Sequence, residues 1–203
     1  MGIVSSDWPE LPGATPIDPS GLKIESIRTR NQLCVAEAEN VRKATVKYFA
    51  ARPSEKTAPF SYCWLLRVHE EMFGDVWEWA GQLRTRELNI GAPWQQLGEQ
   101  LGGLCLDIAA WVERADLLLE QAVTIHHRGV QIHPFENGNG RWARFLANVW
   151  LWRHGKSPIE WPEAELGQEA SEIRNNYIAA VIEADEHNGQ PLTELHQKYW
   201  PDA

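Results

Sequence analysis

Several features that would take the chain away from an ordinary helical globule are scarce or missing. Cysteine is rare: Cys34, Cys63 and Cys105 form an odd, scattered set with neither disulfide-framework nor zinc-ligand spacing, which fits a reducing cytoplasm. No stretch approaches the ~20 apolar residues of a membrane-spanning helix and no signal-peptide pattern is present, so no membrane partner is expected. Runs of Lys and Arg are missing too, and the formal net charge is −9, so nucleic acid is not an expected partner. Strand patterns are almost lacking: residues 83–91, Leu83-Arg84-Thr85-Arg86-Glu87-Leu88-Asn89-Ile90-Gly91, alone lose the helical period and read as a small β-hairpin. There is no internal repeat, low-complexity tract or linker, and 203 residues suffice for one sizeable core but are short for two.

Helical periodicity and eleven tryptophans fill the space these absences leave. Residues 1–28 carry Pro12-Gly13, Pro16, Asp18-Pro19 and Ser20-Gly21 and read as an extended arm. From 29 to 203 a single all-α domain is expected, its core over about 61–187. Thr29-Arg30-Asn31-Gln32 is a capping-box pattern opening a helix to about Ala51, with Val35, Ala38, Val41, Thr45 and Phe49 as its apolar stripe. Further helices are expected over about 61–73, from Gln95, over 117–132, over Trp142–Arg153, over 164–184 and over 192–199. Gly102-Gly103 costs the helix from Gln95 about 1 kcal/mol per glycine relative to Ala unless another backbone approaches there. The helix beginning at Trp142 is apolar nearly all round, as a central, buried helix should be.

The chemistry is concentrated in His133-Pro134-Phe135-Glu136-Asn137-Gly138-Asn139-Gly140-Arg141-Trp142-Ala143-Arg144. Pro134 disfavours the α region at His133, so the preceding helix should stop there. Gly138 and Gly140 admit backbone angles that aim successive N–H groups into one concavity, set on the positive end of the next helix. Arg141 and Arg144, three apart, share a face of its first turn. Together these make an anion site sized for a polyphosphate beside one base, His133, whose unperturbed pKa of ~6.5 leaves much of it neutral. Phe135, once buried, would anchor the loop and aim the imidazole, and Asn139 can fix the turn or donate to a phosphate.

That string resembles the Fic family motif, His-x-Phe-x-(Asp/Glu)-Gly-Asn-Gly-Arg-x-x-Arg, at every fixed position but one: Asn137 stands where the family has a carboxylate. The resemblance implies a Fic-fold helical bundle with a β-hairpin flap, which 83–91 followed by Trp94 resemble. It implies transfer of AMP from ATP to a hydroxyl of a target protein docked along that flap, with Mg²⁺ or Mn²⁺ bridging the phosphates. His133 matches the base, Phe135 the anchor and Gly138-Asn139-Gly140 the phosphate nest. Arg141 and Arg144 match phosphate ligands, Arg144 holding the terminal phosphates. Asn137 matches the metal position as a neutral amide, which leaves open a Doc-type phosphotransferase or a non-catalytic nucleotide-binding scaffold. Asp18, the stretch Phe73 to Gly81, Arg84-Thr85 and Asn89-Ile90-Gly91 resemble the subgroup labelled mobile mystery protein B, which implies a small antitoxin-like companion. Many Fic proteins are blocked by a helix bearing (Ser/Thr)-x-x-x-Glu-(Gly/Asn); Glu39-Asn40 matches its second half, with Val35 at the first position. On that resemblance Glu39 is expected to meet Arg144 in the resting protein.

His126 and His127 point about 100° apart on their helix, so the two cannot serve one metal ion with His133. One is expected in the core, the other at the surface. Tyr177 is read mainly as core, with adenine stacking as its functional alternative.

Overall fold

Thr29 starts the first helix as its sequence implies. Its hydroxyl accepts from the Gln32 N–H at 3.3 Å, while the Gln32 side chain accepts from the Thr29 N–H at 3.1 Å, which satisfies donors the helix itself cannot. The structure, a computed structural model, describes residues 18–111, 117–168 and 171–203; most of the expected arm, 1–17, lies outside the described residues. Its helices are α1 (Arg30–Phe49), α2 (Tyr62–Phe73), α3 (Leu97–Ala110), α4 (Leu118–Ile132), α5 (Asn139–Arg153), α6 (Glu163–Leu166), α7 (Glu172–Asp185) and α8 (Gln190–Lys198). The all-α expectation holds among the described residues.

At the centre, α5 packs on α4. Trp142, Ala143, Phe145, Leu146, Ala147, Val149, Trp150 and Leu151 are all buried, as the apolar circumference of α5 requires. Gly129 lets the two helices approach: a Cβ there would lie 2.9 Å from the Ala143 Cβ. On one side α1 and α2 cover the pair, on another α3 adds Leu97, Leu101, Leu104 and Ile108. A smaller cluster of Val123, Ala180, Val181, Ala184 and Leu192 fixes α7 and α8 against α4.

Three expectations are corrected. The hairpin over 83–91 is not formed; the one ladder contact among the described residues is an isolated antiparallel bridge between Leu22 and Trp77. The segment directs its polar groups elsewhere: Arg84 N–H donates to the Pro134 carbonyl at 3.0 Å and Ala92 N–H to Ile132 at 3.2 Å. The Arg84 guanidinium meanwhile takes the Arg86 and Ala92 carbonyls. Acceptors that a hairpin would pair across itself are therefore engaged by one side chain.

On α1 the buried residues are Leu33, Glu37, Asn40, Ala44 and Tyr48, and Val35, expected inward, is 64% exposed. The inward face carries polar residues with specific partners, which an apolar count passes over. The helix expected over 164–184 is two: Gly167 ends α6, and Ser171 opens α7 by accepting from the Arg174 N–H. Finally, nothing lies within 4 Å of a Cβ built at Gly102 and only Arg128 nears Gly103, so no close backbone approach accounts for the two glycines.

Candidate active site

Helix α4 ends on the residue that chemistry needs. His133 adopts φ 52°, ψ 58°, the left-handed region, which a residue before proline enters only under constraint. Its N–H still reaches the Gly129 carbonyl at 3.2 Å, and its own carbonyl accepts from Arg84 Nε at 2.8 Å. Arg84, 2% exposed, thus clamps the corner: its guanidinium holds the carbonyls of His133, Arg86 and Ala92. Gly91, at φ +101°, lies so close that a Cβ there would meet the His133 Cβ.

One contact sets the imidazole's tautomer. Nδ1 lies 3.3 Å from the Val130 carbonyl, which can only accept, so Nδ1 carries the proton and Nε2 keeps the lone pair. Burial pushes the ring down to about 4, with Arg84 adding to the shift and the Val130 bond opposing it. At neutral pH His133 is therefore an uncharged base with Nε2 as its acceptor atom.

The loop that follows is held from within and from below. Asn139, buried, accepts from the Phe135 N–H at 2.9 Å and donates to the Phe135 carbonyl at 2.8 Å, so its side chain closes the turn rather than facing a ligand. Phe135 is fully buried, stacked at 3.6 Å on His69. His69 in turn pairs with the Asn137 carbonyl at 3.0 Å and accepts from the Gly81 N–H at 3.0 Å. Since Gly81 must donate to Nδ1, Nε2 carries the His69 proton and supports the loop. Gly138 stands at φ +79°, and a Cβ there would come within 2.7 Å of the Phe73 ring, so both angle and space require glycine. Helix α5 begins at Asn139 with the N–H groups of 139, 140 and 141 lacking intrahelical acceptors, an arrangement that attracts anions.

The two arginines flank this nest with different partners. Arg141 donates from Nη1 to Glu37 at 2.7 Å and lies 4.7 Å over the Phe73 ring. Arg144, 5% exposed, presents Nε and Nη2 to Glu163 at 2.8 and 2.5 Å. Burial opposes the Arg144 charge, yet Glu163 and Tyr177 together hold its pKa above the ordinary arginine value. Its Nη1 is the edge nearest the nest, 3.4 Å from a Cβ built at Gly140.

Glu39 does not meet Arg144. It lies exposed and bonds Arg42 at 2.8 and 2.9 Å. The inward carboxylate is Glu37, two residues earlier and so about 200° around α1, which joins Arg141 to the Trp77 Nε1–H at 2.7 Å. Helical arithmetic from Leu33 through Asn40 and Ala44 could have found it.

At the metal position the Asn137 side-chain oxygen accepts from the adjacent Gly138 N–H at 2.6 Å. Neighbouring Glu136 is paired with Arg86 at 2.7 Å, and among the described residues no cluster of three His, Cys, Asp or Glu could hold a metal. These residues do not fit a protein-held divalent ion. A cleft of about 180 Å³ at the motif loop is lined by Asn137 and Glu136 together with Asp18, Ser20, Trp77, Trp79 and Arg86. His126 is fully buried and His127 pairs with Asp185 at 2.8 Å, the division expected of them. Arg84, His69, Glu37 and Glu163 were not anticipated as site residues, since each lies far from the motif in sequence.

Residues 59–151 match the model of the Fic/DOC family. Over 141 residues, 66% of the chain, it is 33% identical to the protein adenylyltransferase fic-1 of Caenorhabditis elegans, covering 26% of that protein. It is 28% identical over 121 residues to the protein adenylyltransferase Fic of Aedes aegypti, covering 57% of the chain and 24% of the relative. The chain thus spans about a quarter of these curated relatives. Among solved structures, Fic-1 of C. elegans superposes with a TM-score of 0.66 at 25% identity, over 80% of this chain and 47% of that one. The N-terminal Fic domain of a Bartonella quintana effector gives 0.68 at 21% identity, over 89% and 88%. BepC of Bartonella tribocorum, solved with bound AMPPNP, gives 0.68 at 20%, over 89% and 92%. With a motif matched but for one residue and a helical fold shared along most of its length, the chain carries a domain of the Fic/DOC family over residues 59–151.

Proposed function

We propose that this protein is an adenylyltransferase that moves AMP from ATP to a hydroxyl side chain of a target protein. The observation that carries the reading is a neutral imidazole, Nδ1 tied to Val130 and Nε2 basic, at the exit of α4 beside the anion nest that opens α5. In the reaction His133 Nε2 takes the proton of the target hydroxyl, whose oxygen attacks the α-phosphorus of ATP. The bond from that phosphorus to the bridging oxygen breaks, and pyrophosphate leaves with the electron pair. The N–H groups of 139–141 neutralise charge on the phosphates, fixed in place before the reaction begins. Arg141 and Arg144 hold neighbouring and terminal phosphates, the latter through Nη1. Any Mg²⁺ or Mn²⁺ would be held by the nucleotide's own phosphates, since Asn137 supplies no charge.

The chain from 29 to 203 is taken as one Fic domain. A target segment is placed along the loop 83–91, where Ile90 is 37% exposed and Trp94, just beyond, 39%. A small antitoxin-like companion, a cytoplasmic location and the absence of nucleic-acid and membrane partners complete the proposal. No helix of the described residues is long and apolar enough to cross a membrane.

Incubation with α-labelled and γ-labelled ATP tests the reading. Label retained on protein from the α position and lost in His133→Ala is the expected result. Retention from γ alone establishes phosphotransfer, and retention of neither establishes a scaffold.

A further inference from the structure

Behind Arg144 lies a chain of polar groups, two of them buried and one partly so, that the reaction as written does not use. Tyr177 on α7, His126 on α4 and His196 on α8 are joined in series. The Tyr177 hydroxyl lies 2.9 Å from His126 Nε2, His126 Nδ1 lies 3.0 Å from His196 Nε2, and His196 Nδ1 lies 2.7 Å from the Leu192 carbonyl. Both imidazoles are fully buried, walled by Trp161, whose ring stands edge-on to each at 5.4 and 4.8 Å.

The last contact dictates all the others. A carbonyl oxygen only accepts, so His196 Nδ1 must carry a proton and His196 Nε2 is left as an acceptor. His126 Nδ1 must then donate to it, which makes His126 Nε2 an acceptor in turn. The Tyr177 O–H must donate to that nitrogen, and the lone pairs of its oxygen face the opposite way. Burial keeps every member in the form this requires. His196 is pushed down to about 4 and His126 well below the usual histidine range, while the Tyr177 hydroxyl is raised. The outward end of the chain is at the nest: the Tyr177 oxygen lies 3.7 Å, and Arg144 Nη1 3.4 Å, from a Cβ built at Gly140. The Arg144 guanidinium also lies 5.3 Å over the Tyr177 ring.

We infer that Tyr177, His126 and His196 are positioning residues that act through Arg144. One backbone carbonyl on α8 sets the direction of every hydrogen bond, so the Tyr177 oxygen always presents an acceptor to Arg144. Glu163 takes the Nε/Nη2 edge from the other side. Held on both flanks, Nη1 keeps a proton aimed along α5 at the terminal phosphates without reorganising when ATP arrives. The inference rests on the proposed role of Arg144 for its consequence, though not for its geometry.

Two measurements on the full chain test these two layers separately. In ¹⁵N-labelled protein at pH 7, long-range proton–nitrogen spectra should show His126 and His196 both as neutral Nδ1–H tautomers. The Arg144 side-chain resonances should shift in Tyr177→Phe. A charged ring, an Nε2–H tautomer at either position, or Arg144 signals unmoved in Tyr177→Phe overturns the chain regardless of function. The second measurement is the affinity for ATP relative to AMP, which lacks the terminal phosphates. Tyr177→Phe should lower the ATP preference about tenfold, the effect of one hydrogen bond to a charged group, and leave AMP affinity unchanged. His126→Gln, whose amide can accept from Tyr177 and donate to His196 at once, should retain the preference, whereas His126→Leu should lose it. An unaltered preference in Tyr177→Phe and His126→Leu, with Arg144→Lys reducing it, overturns the positioning role. An unaltered preference in Arg144→Lys as well overturns the terminal-phosphate reading, and the tautomers alone then decide the chain.

Discussion

Replacing Arg84 by Lys is the perturbation from which most should be learned. The substitution keeps the positive charge but exchanges a planar fork for a single ammonium. The fork now holds three carbonyls, those of His133, Arg86 and Ala92, in a site where Arg84 is 2% exposed. An ammonium in that space reaches one of them. Each hydrogen bond from a charged donor is worth about 1.5–3 kcal/mol, so losing two predicts destabilisation of about 3–6 kcal/mol. The left-handed His133 backbone itself carries strain of order 1–3 kcal/mol, and with its carbonyl released the corner should relax. Urea unfolding gives the stability, with an unchanged slope showing that the denatured state is the same. Label transfer from α-labelled ATP should fall at least tenfold while ATP affinity stays within about twofold, because the nest at α5 lies outside the clamp. An unfolding free energy within about 1 kcal/mol of wild type, with transfer undiminished, refutes the clamp.

Three further outcomes follow from the same structure. Gly138→Ala places a Cβ 2.7 Å from the Phe73 ring at φ +79°, so stability should drop by about 2 kcal/mol or more and ATP binding with it; tight binding in a stable variant contradicts the nest. Glu37→Ala strips Arg141 and the Trp77 indole of a buried partner, which should cost about 2–4 kcal/mol by urea unfolding, whereas Glu39→Ala, losing only an exposed pair with Arg42, should leave the midpoint unchanged. Acid should also weaken the fold. Burial lowers His69 to about 3 and His133 and His196 to about 4, so on unfolding these rings bind protons near 6.5 that the native state refuses. Stability should be level above pH 7 and fall as pH drops from 6.5 toward 4, by roughly 2 kcal/mol per ring at pH 5; a level profile from pH 7 to 5 contradicts the neutral-ring assignment.

Much of the helical frame was legible because local rules govern it. The Thr29 box, the α2 face of Leu65, Val68 and Met72, the α3 face and the apolar circumference of α5 follow from capping and periodicity. Within the motif, the end of α4 before Pro134 and the burial of Phe135 could be read from adjacent residues. What escaped was non-local. The absent hairpin reflects Arg84 drawing its loop onto the His133 corner across 49 residues, and no strand pattern encodes that. Glu39 half-matches a family motif, whereas the period of α1 turns Glu37 inward. Glu163, Tyr177 and His196 join the site only through the packing of α6, α7 and α8 against α4 and α5, and isolated polar residues on helices give no sign of such partners.

The most direct test of the central claim is the structure of this protein bound to a non-hydrolysable ATP analogue. The phosphates should be seated on the N–H groups of 139–141, with the terminal phosphate at Arg144 Nη1 and His133 Nε2 facing the α-phosphate. A nucleotide bound elsewhere, or one whose α-phosphate lies beyond the reach of a hydroxyl held by His133, contradicts it.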